Sequence, residues 1–257
     1  MTRPLHIGLL SAMPEEIGSD LTHLEAIEQH HHGDFTLHRC RWHGPDGSAP
    51  IQLSLAWSGW GKVCAARAAT RLLASAAADA PLDLLLFTGV AGAADPALKQ
   101  WDVVLASGVI QHDMDASPLF PRFTLPPLNR DRLQPEASWL SWAQQALDQA
   151  HGDGSLTGFG APRPGLIGTG DQFISDAAVL SQLRRDLPDL QAVEMEGAAV
   201  AQVAEQEGVP WLVLRVISDS ADGEAADSFS DFVQRYDHNA WRLVEALLQR
   251  QSTAPLR

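Results

Sequence analysis

Two glutamates flank a methionine in Ala192-Val193-Glu194-Met195-Glu196-Gly197, and an arginine then stands inside the apolar run 211–217, which ends at Ser218-Asp219. A lone acidic pair is most often solvated. Carboxyls at the ends of separate elements can instead divide a reaction, one giving a proton and another activating a nucleophile. Arg215, placed inside a strand-like run, needs a carboxylate or an ordered ligand beside it, because an unpaired buried charge is too costly. Further chemistry-bearing punctuation occurs at Met13 and Glu16, in the glycine-containing stretch 88–92, and at 168–171. If these are the ends of strands in one sheet, they converge on one site.

The elements that must position them follow from periodicity. In an extended chain residues i and i+2 share a face, so a strand over 192–196 puts Glu194 and Glu196 together. Gly197 and the alanines after it then open a helix that ends near Gly208, before Pro210. The run 211–217 is apolar on both faces and reads as an interior strand. Upstream, 5–13 reads as a short strand and Pro14-Glu15-Glu16 as a helix start, with proline and acidic residues suited to a first turn. The region 33–58, broken by "HGPDGSAP", suits antiparallel strands, and an Ala-rich helix follows "SGWGKV". "LDLLLFTGVAGAAD" predicts a buried strand running into a glycine-rich loop, and "WDVVLASGVI" another strand. A helix is expected around 139–150, a strand before 168, and one amphipathic helix over 229–250. The alternation predicts an α/β fold with a mainly parallel or mixed sheet covered by helices.

Composition bounds the function. At 257 residues and 45% hydrophobic content the chain can bury a large core, and 1–257 is read as one domain. A net charge of -14 excludes the counterion-releasing basic surface that nucleic-acid binding needs. Cys40 and Cys64 are too few for a disulfide scaffold, and the chain opens without a charged segment followed by an apolar one. No apolar run approaches the roughly 20 residues of a membrane span. The expectation is a soluble cytoplasmic protein.

The order of these motifs resembles the nucleoside phosphorylase and nucleosidase superfamily, and within it the 5'-methylthioadenosine/S-adenosylhomocysteine nucleosidases. The resemblance rests on "IGLLSAMPEEI", "SGWGKV", "TGVAGAADPALKQWDVV", "HDMD", "GLIGTGDQFI", "AVEMEGAAVAQVA" and "VPWLVLRVISDSAD", with Phe229 downstream. The pair "VEMEGAAVA" and "LRVISDSAD" is the specific part, and 116–164 is poorly matched. The resemblance implies a three-layer α/β/α fold with a central mixed, partly barrel-like sheet, a homodimer, and hydrolysis of a purine nucleoside's N-glycosidic bond without metal or organic cofactor.

Carried onto matching positions, it makes Asp219 the acid that protonates purine N7, with Ser218 beside it. Glu16 would activate or orient water, helped by Arg215. Met195 and Glu196 would hold the ribose, Phe173 would stack on the base, and the Ile174 backbone would read its edge. Met13 and Phe229 would line the sugar and 5' side, with 90–92 (Val90, Ala91 and Gly92) as the glycine-rich wall. Cleavage of such a bond does need an acid for the leaving base and a base for the water, on opposite sides. The family pattern has serine at Val90 and a smaller aliphatic residue at Trp60, so Trp60 is expected to reshape the 5' pocket. Phosphorolytic relatives place an arginine before the glycine-rich stretch, where this chain has Phe87; water is therefore the expected nucleophile. Three alternatives stand beside this reading: a futalosine-type nucleosidase, a purine nucleoside phosphorylase, and a noncatalytic nucleoside-binding protein.

Other polar clusters read as structural. Glu194 is expected to pair with a buried cation, and 30–32, three consecutive histidines, to form a solvated surface turn. His112, Asp113 and Asp115 are expected at a pocket rim, and Trp139 and Trp142 in packing.

Overall fold

Strict alternation of buried side chains along the central strands determines how the molecule is layered. In a computed structural model that describes residues 3–45, 47, 49–76, 80–221 and 225–256, β5 (Leu84–Ala93) sends Leu84 and Leu86 into one apolar core and Leu85 and Phe87 into another. The strand β10 (Trp211–Asp219), buried along its whole length, divides in the same way: Leu212, Leu214 and Val216 to one side, Trp211, Val213 and Ile217 to the other. A strand apolar on both faces must be covered on both. The result is a three-layer α/β/α arrangement around a mixed sheet.

The remaining strands are β1 (His6–Ser11), β2 (Glu25–His32), β3 (Phe35–Trp42), β4 (Ile51–Trp57), β6 (Val103–Gln111), β7 (Arg132–Leu133), β8 (Arg163–Thr169) and β9 (Leu190–Glu194). Five of the ten described strands, β5 and β10 among them, close a ring. Strand β5 pairs in parallel with β10, β10 antiparallel with β6, β6 in parallel with β8, β8 in parallel with β9, and β9 antiparallel with the end of β5 through Gly92 and Ala93. The first half of β5 pairs instead with β1, which continues through β4 and β3 to the edge strand β2.

The helices are α1 (Lys62–Ser75), α2 (Ala137–Gly152), α3 (Ala177–Asp186), α4 (Gly197–Gln206), α5 (Ala225–Asp237) and α6 (Ala240–Leu248). Helix α1 buries Ala65, Ala68, Ala69 and Leu72, the i, i+3, i+4, i+7 stripe of an amphipathic helix, and packs with α4 on one face of the sheet. On the other face α2, with Trp139 and Trp142 buried as expected, packs against α6. Among the described residues no helix is long and apolar enough to cross a membrane.

Several sequence expectations are corrected. The glycine-rich stretch after Phe87 is not a loop: β5 runs on to Ala93, because its end is needed to pair β9 and close the ring. The strand expected over 192–196 stops at Glu194, and Glu196 immediately precedes α4. The histidines at 30–32 lie in β2, an exposed edge strand paired to β3, rather than in a turn. The expected C-terminal helix is two helices, separated at 238–239. The helix start at Pro14 is a single 3-10 turn, Pro14–Glu16.

Candidate active site

Strand ends bring the reactive groups together. The ends of β1, β5, β9 and β10, with the starts of α1 and α4 and one face of α5, wall a cleft of about 550 Å3, counted to its open mouth. It is lined by Met13, Glu16, Val90, Gly92 and Met195, by Glu196, Ser218 and Asp219, and by the aromatic residues Trp60, Phe173 and Phe229 with Ile174. These are sequence-selected positions. Two others, Arg215 and Ala91, do not reach the wall; Arg215 is completely buried behind it, and Ala91 packs into the core beneath. Ala12, Gln172, Val193 and Glu194 line the cleft without having been selected for it.

The tight 3-10 turn folds Glu16 back onto its own strand. Its Oε2 accepts from the N–H of Ala12 at 2.8 Å and of Met13 at 3.0 Å, and its Oε1 accepts from the N–H of Val90 at 2.9 Å. Burial pushes this carboxyl above the ordinary carboxylate range, against the opposing pull of Arg215 and of those N–H groups. Such a close approach requires glycine at 89. A Cβ there would stand 2.7 Å from Glu16 Cδ and collide with both Glu16 Oε1 and Arg215 Nη1. Gly89→Ala is therefore expected to lower kcat by at least about tenfold by displacing both groups, while circular dichroism still reports a folded α/β protein. Unchanged turnover would show that the pair tolerates displacement.

Arg215 is held by Glu194, as the buried-cation argument required. Its Nη2 pairs with Glu194 Oε2 and lies 3.9 Å from Glu196 Oε2, and its guanidinium sits 4.2 Å from the centroid of the Phe87 ring. Glu194 is saturated further by the Thr169 hydroxyl and by the N–H groups of Glu196 at 3.0 Å and Gly197 at 2.7 Å. Thr169 lies in the 168–171 stretch, but no role for its side chain was expected from sequence; its contact joins β8 to β9. Nε and Nη1 of Arg215 have no hydrogen-bond partner among the described residues.

One arginine cannot neutralise Glu16, Glu194 and Glu196 together. Burial, and then the charge of Glu194, raise Glu196 to about 8, with Arg215 opposing. Glu196 thus holds a proton more tightly than a free glutamate, and growing positive charge beside it would favour its ionisation. Its Oε1 accepts from the Gly61 N–H at 2.7 Å, which ties it to the residue after Trp60.

Asp219 sits deeper, 4% exposed. Its Oδ1 accepts from the Ala221 N–H at 2.8 Å, and its Oδ2 lies 2.6 Å from Ser218 Oγ, which is also 3.2 Å from the Ala91 carbonyl. A hydroxyl has a single proton. With Asp219 ionised Ser218 donates to it; with Asp219 protonated the carboxyl can donate to Ser218, which turns to Ala91. Both protonation states can therefore be accommodated.

The segment carrying Phe173 and Ile174 is tied down at its start. Asp171 accepts from the Lys62 N–H at 2.8 Å and donates its own N–H to Asp113 at 2.9 Å, while Lys62 Nζ donates to Asp113 at 2.7 Å. His112 is buried with its ring against Gly170. No cluster of His, Cys, Asp and Glu among the described residues could hold a metal ion. Over the mouth, Phe229 meets Trp60 edge-on at 6.1 Å and Phe173 edge-on at 5.8 Å.

This arrangement can be set beside known proteins. The phosphorylase-superfamily family model matches residues 6–249. A 5'-methylthioadenosine/S-adenosylhomocysteine nucleosidase of Chromohalobacter salexigens is 33% identical over 250 residues, covering 96% of this chain and 98% of that one. The chain belongs to this nucleosidase family. Among solved structures, the nucleosidase of Colwellia psychrerythraea in complex with adenine superposes with a TM-score of 0.86 at 29% identity, covering 99% of both chains. The futalosine hydrolase of Helicobacter pylori superposes with a TM-score of 0.81 at 29% identity, covering 95% of this chain and 97% of its own. The nucleosidase sheet is thus the fold that the motifs implied, closed by the ring described above.

Proposed function

We propose that this chain hydrolyses the N-glycosidic bond of 5'-methylthioadenosine or S-adenosylhomocysteine, releasing adenine and the 5-thioribose product. The observation that carries the reading is the convergence of Glu16 and Asp219, from different strand ends, on one cleft that also holds Glu196. In the reaction the C1'–N9 bond breaks as a water oxygen bonds to C1'. Asp219, steadied by Ser218, delivers a proton to N7 so that adenine leaves neutral. Glu16 takes the proton of the water, and Arg215 helps hold it. Ionised Glu196 stabilises positive charge on the sugar and, with Met195, holds its hydroxyls. Phe173 and Ile174 take the base, Val90 and Gly92 form the wall behind it, and Met13, Trp60 and Phe229 face the 5' group.

Water is favoured over phosphate by charge. The described ionisable groups that line the cleft are all carboxyls, and the buried arginine behind them is already paired with Glu194. A phosphate dianion would lose its hydration there and find no unpaired cation among the described lining residues. We further read 1–257 as one domain acting as a homodimer in the cytoplasm, in methionine salvage. The similarity to a futalosine hydrolase keeps a second reading, in which the same acid and water act on a larger 5' group.

Adenine release from methylthioadenosine, S-adenosylhomocysteine and 6-amino-6-deoxyfutalosine, each with and without phosphate, tests this. Phosphate-independent release from a thioadenosine is the expected result. Release only from the futalosine compound would select the second reading, strict phosphate dependence would make the enzyme a phosphorylase, and no release with tight adenosine-analogue binding would make the chain a binding protein.

A further inference from the structure

The mouth of the cleft differs in chemistry from its floor. Trp60 is 54% exposed and Phe173 42% exposed, and Phe229 bridges them edge-on, so an apolar aromatic arch spans the opening. The backbone beside Trp60 is anchored to the cleft: the next residue, Gly61, has a positive φ of 90° and gives its N–H to Glu196. Behind the arch, the charged groups among the described lining residues are Glu16, Glu194, Glu196 and Asp219, every one acidic. The described cation beside the arch, Lys62, already donates to Asp113 and Gln111.

A substituent on the sugar's 5' sulfur leaves the site past this arch. A methyl or short alkyl group would exchange water for aromatic surface, which is favourable. The amino-acid tail of S-adenosylhomocysteine carries a carboxylate as well as an ammonium. Its carboxylate would lose hydration against Trp60 and find no unpaired cation among the described lining residues to replace it.

We propose that Trp60 makes this cleft selective for neutral, apolar 5'-thio substituents and against the zwitterionic tail of S-adenosylhomocysteine. The inference rests on the nucleosidase reading and narrows its substrate class. Trp60 is a specificity-determining residue in this account, acting through the apolar arch it forms with Phe229 and Phe173.

The test compares kcat/KM for methylthioadenosine, 5'-butylthioadenosine and S-adenosylhomocysteine, in the full chain and in Trp60→Ile. In the unaltered enzyme the butylthio compound, neutral and of similar reach to the amino-acid tail, is expected within about fivefold of the methylthio compound. S-adenosylhomocysteine is expected about 30-fold below it. Trp60→Ile, by opening the mouth to water, is expected to raise S-adenosylhomocysteine at least about fivefold relative to methylthioadenosine and to weaken the butylthio compound through lost apolar contact. Equal use of methylthioadenosine and S-adenosylhomocysteine would overturn the proposal. So would equal loss of both long substrates, which marks a gate on length, and so would an unchanged ratio in Trp60→Ile. Absence of adenine release from all three substrates would instead overturn the nucleosidase reading on which the proposal depends.

Discussion

Asp219→Asn is expected to lower kcat by about 10²–10⁴-fold, the range that general acid catalysis supplies, with KM changed by less than about threefold. The substitution is nearly isosteric, and the amide oxygen can still accept from the Ala221 N–H that Asp219 Oδ1 accepts from at 2.8 Å. What is lost is a proton that can move. An amide N–H can donate a hydrogen bond to purine N7 but cannot leave with it, so adenine would have to depart as an anion. Binding and catalysis therefore separate, as they should for an interaction made mainly in the transition state. The high-pH limb that a general acid imposes should vanish from the kcat profile. Steady-state adenine release across pH, with substrate binding measured by calorimetry, checks both parts. Near-normal turnover would remove Asp219 as the acid, and weakened binding at normal kcat would make it a binding group.

Glu16→Gln is expected to lower kcat by about 10²–10³-fold, for a different reason. The carboxylate accepts from three backbone N–H groups, at Ala12, Met13 and Val90, and a glutamine amide can satisfy only part of that set with its oxygen. Its NH2 then faces a donor, at a cost of about 1–3 kcal/mol for the unsatisfied group. Removing a buried charge works in the opposite direction, so stability and activity should respond differently to pH. Burial holds the folded-state Glu16 above its ordinary value of 4.5. The folded protein therefore keeps this proton more tightly than the unfolded chain, and the associated stability is fully present below about 4.5 and lost as pH rises through the folded value. Activity runs the other way, because only the ionised form can take a proton from water. Wild-type kcat/KM should rise with pH above the usual carboxylate range while Glu16's contribution to stability falls. In Glu16→Gln the stability slope due to this residue should be absent in urea titrations over the same window. A glutamine variant with wild-type turnover would require another base.

Much of the site was legible because its groups sit in short stretches where polarity interrupts an apolar pattern. Arg215 inside a buried strand called for a partner, and Glu194 provides it. The N–H of Gly61 and the hydroxyl of Thr169 were not legible, since a backbone donor has no side-chain signature and Thr169 acts on a residue 25 positions away. Glycines misled the reading of β5: Gly89 and Gly92 suggested a loop, whereas one makes room for Glu16 and Arg215 and the other pairs with Val193 where the ring closes. Strand β2 was missed because its residues are mostly exposed on both faces, which removes the alternation by which strands are recognised.

Because β5 is bonded to β10 along one edge and to β9 at its end, Val90, Gly92, Glu194 and Asp219 belong to one hydrogen-bonded hoop. None can shift without straining a neighbour's ladder. The aromatic arch hangs from other parts of the chain: Trp60 precedes α1, Phe173 follows β8, and Phe229 rides on α5. Substitutions in the arch can therefore accumulate over generations without moving Asp219 relative to Val90 and Glu194. Such a lineage can exchange one 5' group for another while inheriting the same bond-breaking chemistry, with the hoop conserving the reaction and its attachments carrying the variation.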